Sequence, residues 1–551
     1  ALAIANANDV IRLAAATTTN ENNLTMKSGV TIEGANRATS IIDATRTARV
    51  FASPFCLGTC DSTTTIRDIT LKRGVVAAAG GAIALINTGA TAGIRHLNLT
   101  RVTISNSRGT SGGAIDVTNG ARLVMEHCRL EADSTTTLNG GGISASYGYL
   151  FTKNNRFDSC VAGNAAGNLG GGVYASSGFW ASESDTIINC KARASGGGAY
   201  LFGAAMNRNL VVRGCVSGAA GDGGGAVVHR GIVFSRGAKL DANTTTTTTG
   251  LSGGLFSVNS GAAEFVVGMV VDSSAGTYSG GSIRSVNRGG GAPPVGFFRD
   301  CQFTNPLGTG ALSNVTANAD LFIDCRFVGQ PPLGTSVVGV GGHSVLLGCE
   351  VTGGTTAALS GATGSWTVAD CLIKRMSGIG LGAGGLLLNN VITNNGGDGL
   401  DVSANFRAVA VNNIMANNGG WGFDDYNGSH GDLALSNLYF NNTSGGQENA
   451  SSQGWLNLTG DPLFTHAVSD SFSINQSTSP ALDRGWNAFD WLNQTHELLG
   501  FLDARAFEDS VGFTYSTTVS DTVASDQDRV DLGKHKTFIK KTTGGGRVEA
   551  R

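Results

Sequence analysis

The chain has 551 residues, of which 82 are glycine, 8 proline and 10 cysteine; charged residues make up 14% and the formal net charge is −3. Globular domains carry about a quarter charged residues, and a disordered chain needs high charge and few β-branched residues, so this composition excludes disorder. Collagen needs abundant proline, nucleic-acid binding a basic footprint, and a membrane helix a run of about 18 apolar residues; the sequence has none of these. Composition is uniform from Leu2 to about Gly460 with no proline-rich or charged linker, which points to one long repetitive domain. The chain begins at Ala1 rather than Met, as expected of a processed or trimmed form, which leaves room for a lost signal peptide.

The first repeat is a Gly-Gly pair followed by small and apolar residues. It recurs as Gly80-Gly81-Ala82-Ile83, Gly112-Gly113-Ala114-Ile115, Gly141-Gly142-Ile143, Gly171-Gly172-Val173 and Gly197-Gly198-Ala199, and continues to Gly280-Gly281. Steps of 26 to 32 residues separate the copies, a regularity that chance does not hold over 200 residues. A second ladder follows in rows such as FFRDCQF, LFIDCRF and LLLNNVI, with Cys301, Cys325, Cys349, Cys371, Asn390, Asn413 and Asn437 at equivalent positions, 19 to 24 residues apart. A further set of rungs runs from Phe157 to Cys160, Ile187 to Cys190, Val212 to Cys215, Ile392 to Asn395, Met415 to Asn418 and Tyr439 to Asn442.

Each row alternates apolar and polar residues over a short stretch, which is strand periodicity, and Gly, Asn and Ser clusters between rows read as turns. A repeat near 24 residues holding two or three short strands is one coil of a parallel β-helix, whose apolar face is buried only by stacking coils at about 4.8 Å. The expected fold is therefore all-β, a right-handed parallel β-helix of about sixteen coils over residues 1–485, with a non-repeat segment at 486–551 that caps the helix or docks on a neighbour. Inward polar rungs need partners: stacked Asn side chains hydrogen-bond along the axis, and Cys is small enough to bury. Cys301, Cys325, Cys349 and Cys371 are expected to be buried thiols, because parallel in-register strands offer poor disulfide geometry. Cys56 and Cys60 lie outside the ladder in the loop CLGTC and are the disulfide candidate.

Counting 11 residues onward from Asn390, Asn413 and Asn437 gives Asp401, Asp424 and Glu448, with Asp425 beside them; counting 17 from the first two gives Arg407 and His430. If the register holds past the turn, three acids stack on one face, where they repel unless protonated or bridged by a cation such as Ca²⁺. Asp398, Asp401 and Asp424 are the candidate Ca²⁺ ligands, and the row around Asp424 is a candidate acid/base group for a glycosidase or polysaccharide lyase. Gly396-Gly397-Asp398-Gly399-Leu400-Asp401 matches the start of a calcium-binding nonapeptide, but a single copy reads as a coil turn. Otherwise no cofactor is expected.

The Gly-Gly-Ala-Ile and F-x-x-N/C rows resemble the repeats of polymorphic outer-membrane-protein-type β-helices. Asp9-Val10-Ile11-Arg12-Leu13 and Val30-Thr31-Ile32-Glu33-Gly34 resemble the first coils of bacterial pectin-lyase-like surface proteins. Gly460-Asp461-Pro462-Leu463-Phe464, Phe472-Ser473-Ile474 and Ser479-Pro480-Ala481-Leu482-Asp483 resemble the closing segment of the same group. The resemblance covers about residues 1 to 485 and implies the fold more than any activity, since this fold serves enzymes and non-catalytic surface proteins alike. Polygalacturonase-like, pectate-lyase and mannuronan-epimerase motif sets are incomplete or missing. The expectation is an extracellular or cell-surface structural or adhesive protein, non-catalytic, whose partners are surface polysaccharide or further copies of itself in a head-to-tail filament. The alternative is a polysaccharide lyase, hydrolase or sugar-binding β-helix that uses the acidic row.

Overall fold

In the computed structural model, the chain is described from residue 2 to 481 except for 3, 57–61, 88–94, 164–166, 219–225, 246–254, 259–262, 273–282, 287–294, 306–311, 315–318, 330–337, 341–343, 355–356, 403–407, 426–431, 449–452, 467–470 and 475–477; beyond 481 it covers 513–514 and 539–540. Among the described residues there are strands and turns and no helix. The chain divides into two compact units, Ala1–Asp320 and Leu321–Arg551, and each is a stack of parallel β-coils.

One coil of the first unit shows how the sequence makes the turn. Ile115–Thr118 forms a strand, Asn119 and Gly120 bend the chain at positive φ, and Arg122–Glu126 forms the second strand. His127 then turns the chain at φ 54°, Arg129–Glu131 forms the third strand, Ala132 turns it again at φ 54°, and Ser134–Thr135 completes the coil. Period-two alternation puts Leu123, Met125 and Leu130 inside with no more than 1% of their surface exposed. The middle residue of each third-face strand repeats this inward position. In the first unit the column runs Ile42, Leu71, Ile104, Leu130, Phe157, Ile187, Val212, Leu240, Val271, Phe303. In the second it runs Phe327, Val351, Ile373, Ile392, Met415, Tyr439. Each such side chain contributes about 1.5–3 kcal/mol of apolar burial, which only a neighbouring coil supplies. Among the described residues this face stacks eleven strands in the first unit and seven in the second, so the number of coils differs slightly from the sixteen expected.

The Gly-Gly signal has two physical causes. Gly80, Gly112, Gly140, Gly170 and Gly196 sit at φ between 58° and 73°, a region that disfavours side chains. The next glycine of each pair packs backbone to backbone against the following coil: a Cβ on Gly113 would collide with the carbonyl oxygen of Gly141. In the triple-glycine copies the first two glycines are therefore the pair. The register Ile83, Ile115, Ile143, Val173, Ala199 corrects the sequence alignment by one residue there.

The Cys and Asn rungs lie at the corners after the second and third strands, directly following a residue at positive φ. In the second unit Cys325, Cys349, Cys371, Asn390, Asn413 and Asn437 occupy successive coils in register, as expected. Asn413 Oδ1 accepts from the backbone N–H and the Nδ2 of Asn390 at 3.0 and 2.9 Å, and its own Nδ2 donates to Leu387 O and Asn437 Oδ1. Asn395, Asn418 and Asn442 repeat this at the other corner. Cys301 takes the corresponding corner in the first unit, and the eight cysteines whose side chains are described are all buried free thiols. Burial pushes the Cys128 thiol up to about 12, so it stays protonated at neutral pH. The first unit also uses acids as rungs, which the sequence reading did not foresee: Asp185 accepts from Asn155, and Asp133 from Ser107 N–H. Burial raises the Asp185 carboxyl to about 6.

The second unit carries one addition. Phe464–His466 and Ser471–Ile474 form an antiparallel hairpin, and Phe472, Ile474 and Ala481 pack on Leu372, Val391, Ile414 and Leu438. These last residues point outward from the third face, so the segment expected to close the helix covers its side. Cys56 by its side chain, Cys60, and the expected boundary at 485 lie outside the described residues.

Gly113→Ala is expected to lower stability by on the order of 3 kcal/mol in chemical denaturation, because its neighbour is backbone and cannot move aside. Gly167→Ala, where a Cβ meets nothing within 4 Å, should be neutral. Asn413→Ala removes the acceptor of the buried Asn390 N–H and the side-chain donor to Leu387 O, and should also cost about 3 kcal/mol in the same assay.

Candidate functional site

With the interior filled, chemistry is confined to outward side chains, and three places gather them. The first is the acidic row. Leu400–Val402 pairs with Trp421–Asp425 so that Asp401 lies opposite Asp424, and Glu448 N–H donates to Phe423 O at 2.9 Å, which sets Glu448 on the next rung. The counted register therefore holds across the turn for these three acids. Asp425 is not beside them: alternation turns it inward, opposite Val402, with 1% of its surface exposed. Arg407 and His430 lie outside the described residues.

Partial burial, then the hydrogen bond to Glu448 and the charges of Glu448, Asp398 and Asp401, raise the Asp424 carboxyl to about 7. Burial and then the Asp398 charge raise Asp401 as well. Asp424 is thus the acid of this row that keeps its proton closest to neutral pH, with Glu448 beside it. Asp398 Oδ1 accepts from the backbone N–H of Trp421, so the nonapeptide-like run is a coil turn that its own aspartate ties to the next coil. Among the described residues no group of three or more His, Cys, Asp or Glu is placed to hold a metal ion, so Asp398, Asp401 and Asp424 do not converge as a Ca²⁺ cage.

The second place is an aromatic column on the second face of the first unit, which the sequence reading missed. The outward central residues of successive strands run Val124, Phe151, Ala181, Met206, Phe234, Phe265, Phe297. Phe234 and Phe265 stack with ring centroids 4.9 Å apart and planes 8° apart, and Phe297 follows at 6.3 Å. Phe234 and Phe265 remain 45% and 43% exposed, and Met206 52%. Exposed apolar residues in a continuous line mark an interaction surface. They line a shallow groove of about 880 Å³. Its edge is the next outward column, Glu126, Lys153, Glu183, Arg208, Arg236, in which Lys153 and Arg208 both reach Glu183, at 3.3 and 3.9 Å. The signal was present as a repeated apolar residue at the centre of strands such as YLFTK, IVFSR and AEFVV, but unequal coil lengths hide the alignment.

The third place is the corner beside that groove, a cavity of about 610 Å³ lined by Arg37, Arg101, His127, Arg129 and Arg156 together with neutral polar residues. Arg37 reaches from an earlier coil to donate to His127 O at 3.0 Å.

Residues 285–457 match the family described as a right handed beta helix region. That match and the parallel coils are consistent with right-handed β-helix proteins of the pectin-lyase-like type. No curated protein matches the sequence significantly. Among solved structures, the chain is similar to the PL6 family alginate lyase AlyGC, at 10% identity over 82% of this chain and 88% of that one, with a TM-score of 0.21. It is also similar to the catalytic domain of a GH87 alpha-1,3-glucanase in complex with nigerose, at 11% identity over 82% and 63%, with a TM-score of 0.19. Likeness at that level carries nothing about activity. No helix among the described residues is long and apolar enough to cross a membrane.

Asp424 makes stability pH-dependent with a definite sign. Its carboxyl holds, up to about pH 7, a proton that the unfolded chain releases at about pH 4. The stability tied to that proton is full below about pH 4 and is lost as pH rises through about 7. Asp424→Asn should therefore flatten the fall in melting temperature between pH 4 and 7 and melt above the wild type at pH 8. Parallel curves for the two proteins would show that Asp424 titrates normally.

Proposed function

We propose that this chain is a non-catalytic, glycan-binding β-helix, working outside the cell or at its surface as an adhesive scaffold. The observation that supports this reading is the exposed aromatic column of the first unit. Sugar rings present apolar C–H faces that pack on aromatic faces, and hydroxyls that take hydrogen bonds from polar groups at the edge. The rings of Phe234, Phe265 and Phe297, set one coil apart, recur at about the length of one sugar unit, so a linear glycan running along the coil axis meets a ring at three successive units. The rigid sheet holds these rings in place before binding, which lowers the ordering cost. Retention in affinity electrophoresis gels containing soluble neutral polysaccharides tests this. The Phe234→Ala, Phe265→Ala double variant should weaken retention about tenfold with an unchanged melting temperature. No retention of the wild type by any polysaccharide of the panel would overturn the reading.

A second reading has its own observation, the carboxyl of Asp424, raised to about 7 beside Glu448. A carboxyl held protonated near neutral pH is the general acid that glycoside hydrolysis or elimination employs. On this reading the wild type releases reducing ends or unsaturated products from a polysaccharide, and Asp424→Asn abolishes the release. Absence of products from the wild type across the panel leaves the scaffold reading alone.

A further inference from the structure

The corner cavity of the first unit is lined by four guanidinium groups and one imidazole, with no carboxylate among its lining residues. Two of the arginines already have acidic partners outside the lining. Arg101 makes a two-pronged contact with Asp68 at 2.6 and 2.7 Å, and Arg156 grips Asp158. Arg37 and Arg129 have no ion pair among the described residues. Arg129 and Arg156 are direct register partners on neighbouring strands, about 4.8 Å apart along the stack. Like charges facing each other at that spacing are unfavourable, and Arg37 brings a further positive charge to the same cavity from an earlier coil. Asp68 and Asp158 offset part of this positive charge, and the remainder favours an anion seated between the arginines.

Guanidinium is the side chain best matched to an oxyanion, because its planar N–H fork meets two oxygens at once. Asn154, Ser184 and Thr186 add neutral polar lining along the same wall. The cavity also adjoins the aromatic groove residue by residue. Glu126, Lys153 and Glu183 edge the groove, and the next residues in sequence, His127, Asn154 and Ser184, line the cavity. Each of these three turns the corner at positive φ, so the two surfaces meet along one line.

We infer that this cavity receives the sulfate or phosphate ester groups of a glycan chain whose sugar rings lie on the neighbouring aromatic column. The inference rests on the glycan reading of that column and names the ligand more closely as an anionic, ester-bearing glycan. The ester group hangs over the corner between Arg37, Arg129 and Arg156 while the ring to which it is attached stacks outside. Exposed charge pairs are screened by salt, so the gain from the ester falls as ionic strength rises.

The test compares dextran with dextran sulfate of the same chain length in affinity gels, using the full chain. The wild type should be retained at least about tenfold more strongly by the sulfated polymer at low salt. The Arg37→Ala, Arg129→Ala double variant should lose that excess and keep the retention shown by neutral glycans. Neither arginine makes an ion pair among the described residues, so the variant should fold, and an unchanged melting temperature checks this. Inorganic sulfate at millimolar concentration should compete only weakly, since it lacks the ring. Equal retention by the two polymers overturns the inference and leaves the neutral-glycan reading standing. Retention by dextran sulfate that is indifferent to the Phe234→Ala, Phe265→Ala double variant separates the cavity from the column and overturns both. Retention by a single-stranded DNA gel in the absence of retention by dextran sulfate assigns the cavity to nucleic acid and also overturns it.

Discussion

The corner turn is the constraint on which the rest of the molecule depends. To close a coil, the chain bends at residues of positive φ, such as His127, Asn154, Asn389 and Asn412, and each bend leaves the next backbone N–H pointing into the interior. A buried, unpaired N–H is costly. The structure satisfies it with a side chain from the following coil: Asn390 Oδ1 for Cys371, Asn413 Oδ1 for Asn390, Asn155 Oδ1 for Cys128. Where a thiol stands in the ladder it performs the same task weakly, as Cys371 Sγ does for the N–H of Cys349 at 3.3 Å. Each corner is thus complete only when the next coil is in place, and stacking becomes cooperative.

Because the interior is committed to this ladder and to the inward apolar columns, the outward positions are free to differ between the two units. In the first unit the second face becomes a line of aromatic rings with a charged edge, and the corner beside it gathers arginines. In the second unit the third face becomes apolar at Leu372, Val391, Ile414 and Leu438 and is covered by the 464–474 hairpin, while another face brings Asp424 against Glu448. Parallel in-register stacking amplifies each choice, since a residue repeated at one outward position becomes a stripe. For uncharged rings the stripe is an exposed apolar surface. For like charges it is a strain, relieved in the acid row by the proton that Asp424 retains and in the arginine corner in part by Asp68 and Asp158.

Much of the fold was legible in the residues. The Gly-Gly pairs reported a positive-φ position and a backbone contact with the next coil. Cys325 to Asn437 reported a corner ladder, and the alternation of short rows reported the inward face. Part of the candidate site was legible too, since a fixed count from Asn390, Asn413 and Asn437 reached three acids that do stack. The count placed Asp425 with them because spacing along the chain does not tell adjacent residues apart by side, whereas the pleat sends Asp424 out and Asp425 in.

What the sequence by itself determined is the local geometry: where the chain must turn, which glycines tolerate no side chain, and which residue of a short strand faces inward. These follow from the φ preferences of single residues and from the period of two. What only the tertiary structure decided is which outward residues share a column. Coils of unequal length carry Phe151, Met206, Phe234 and Phe265 at irregular intervals in the sequence, and Arg37 meets Arg129 across a separation of more than 90 residues. The pairing register between coils aligns them, because hydrogen bonds join strand to strand whatever the length of the loops between.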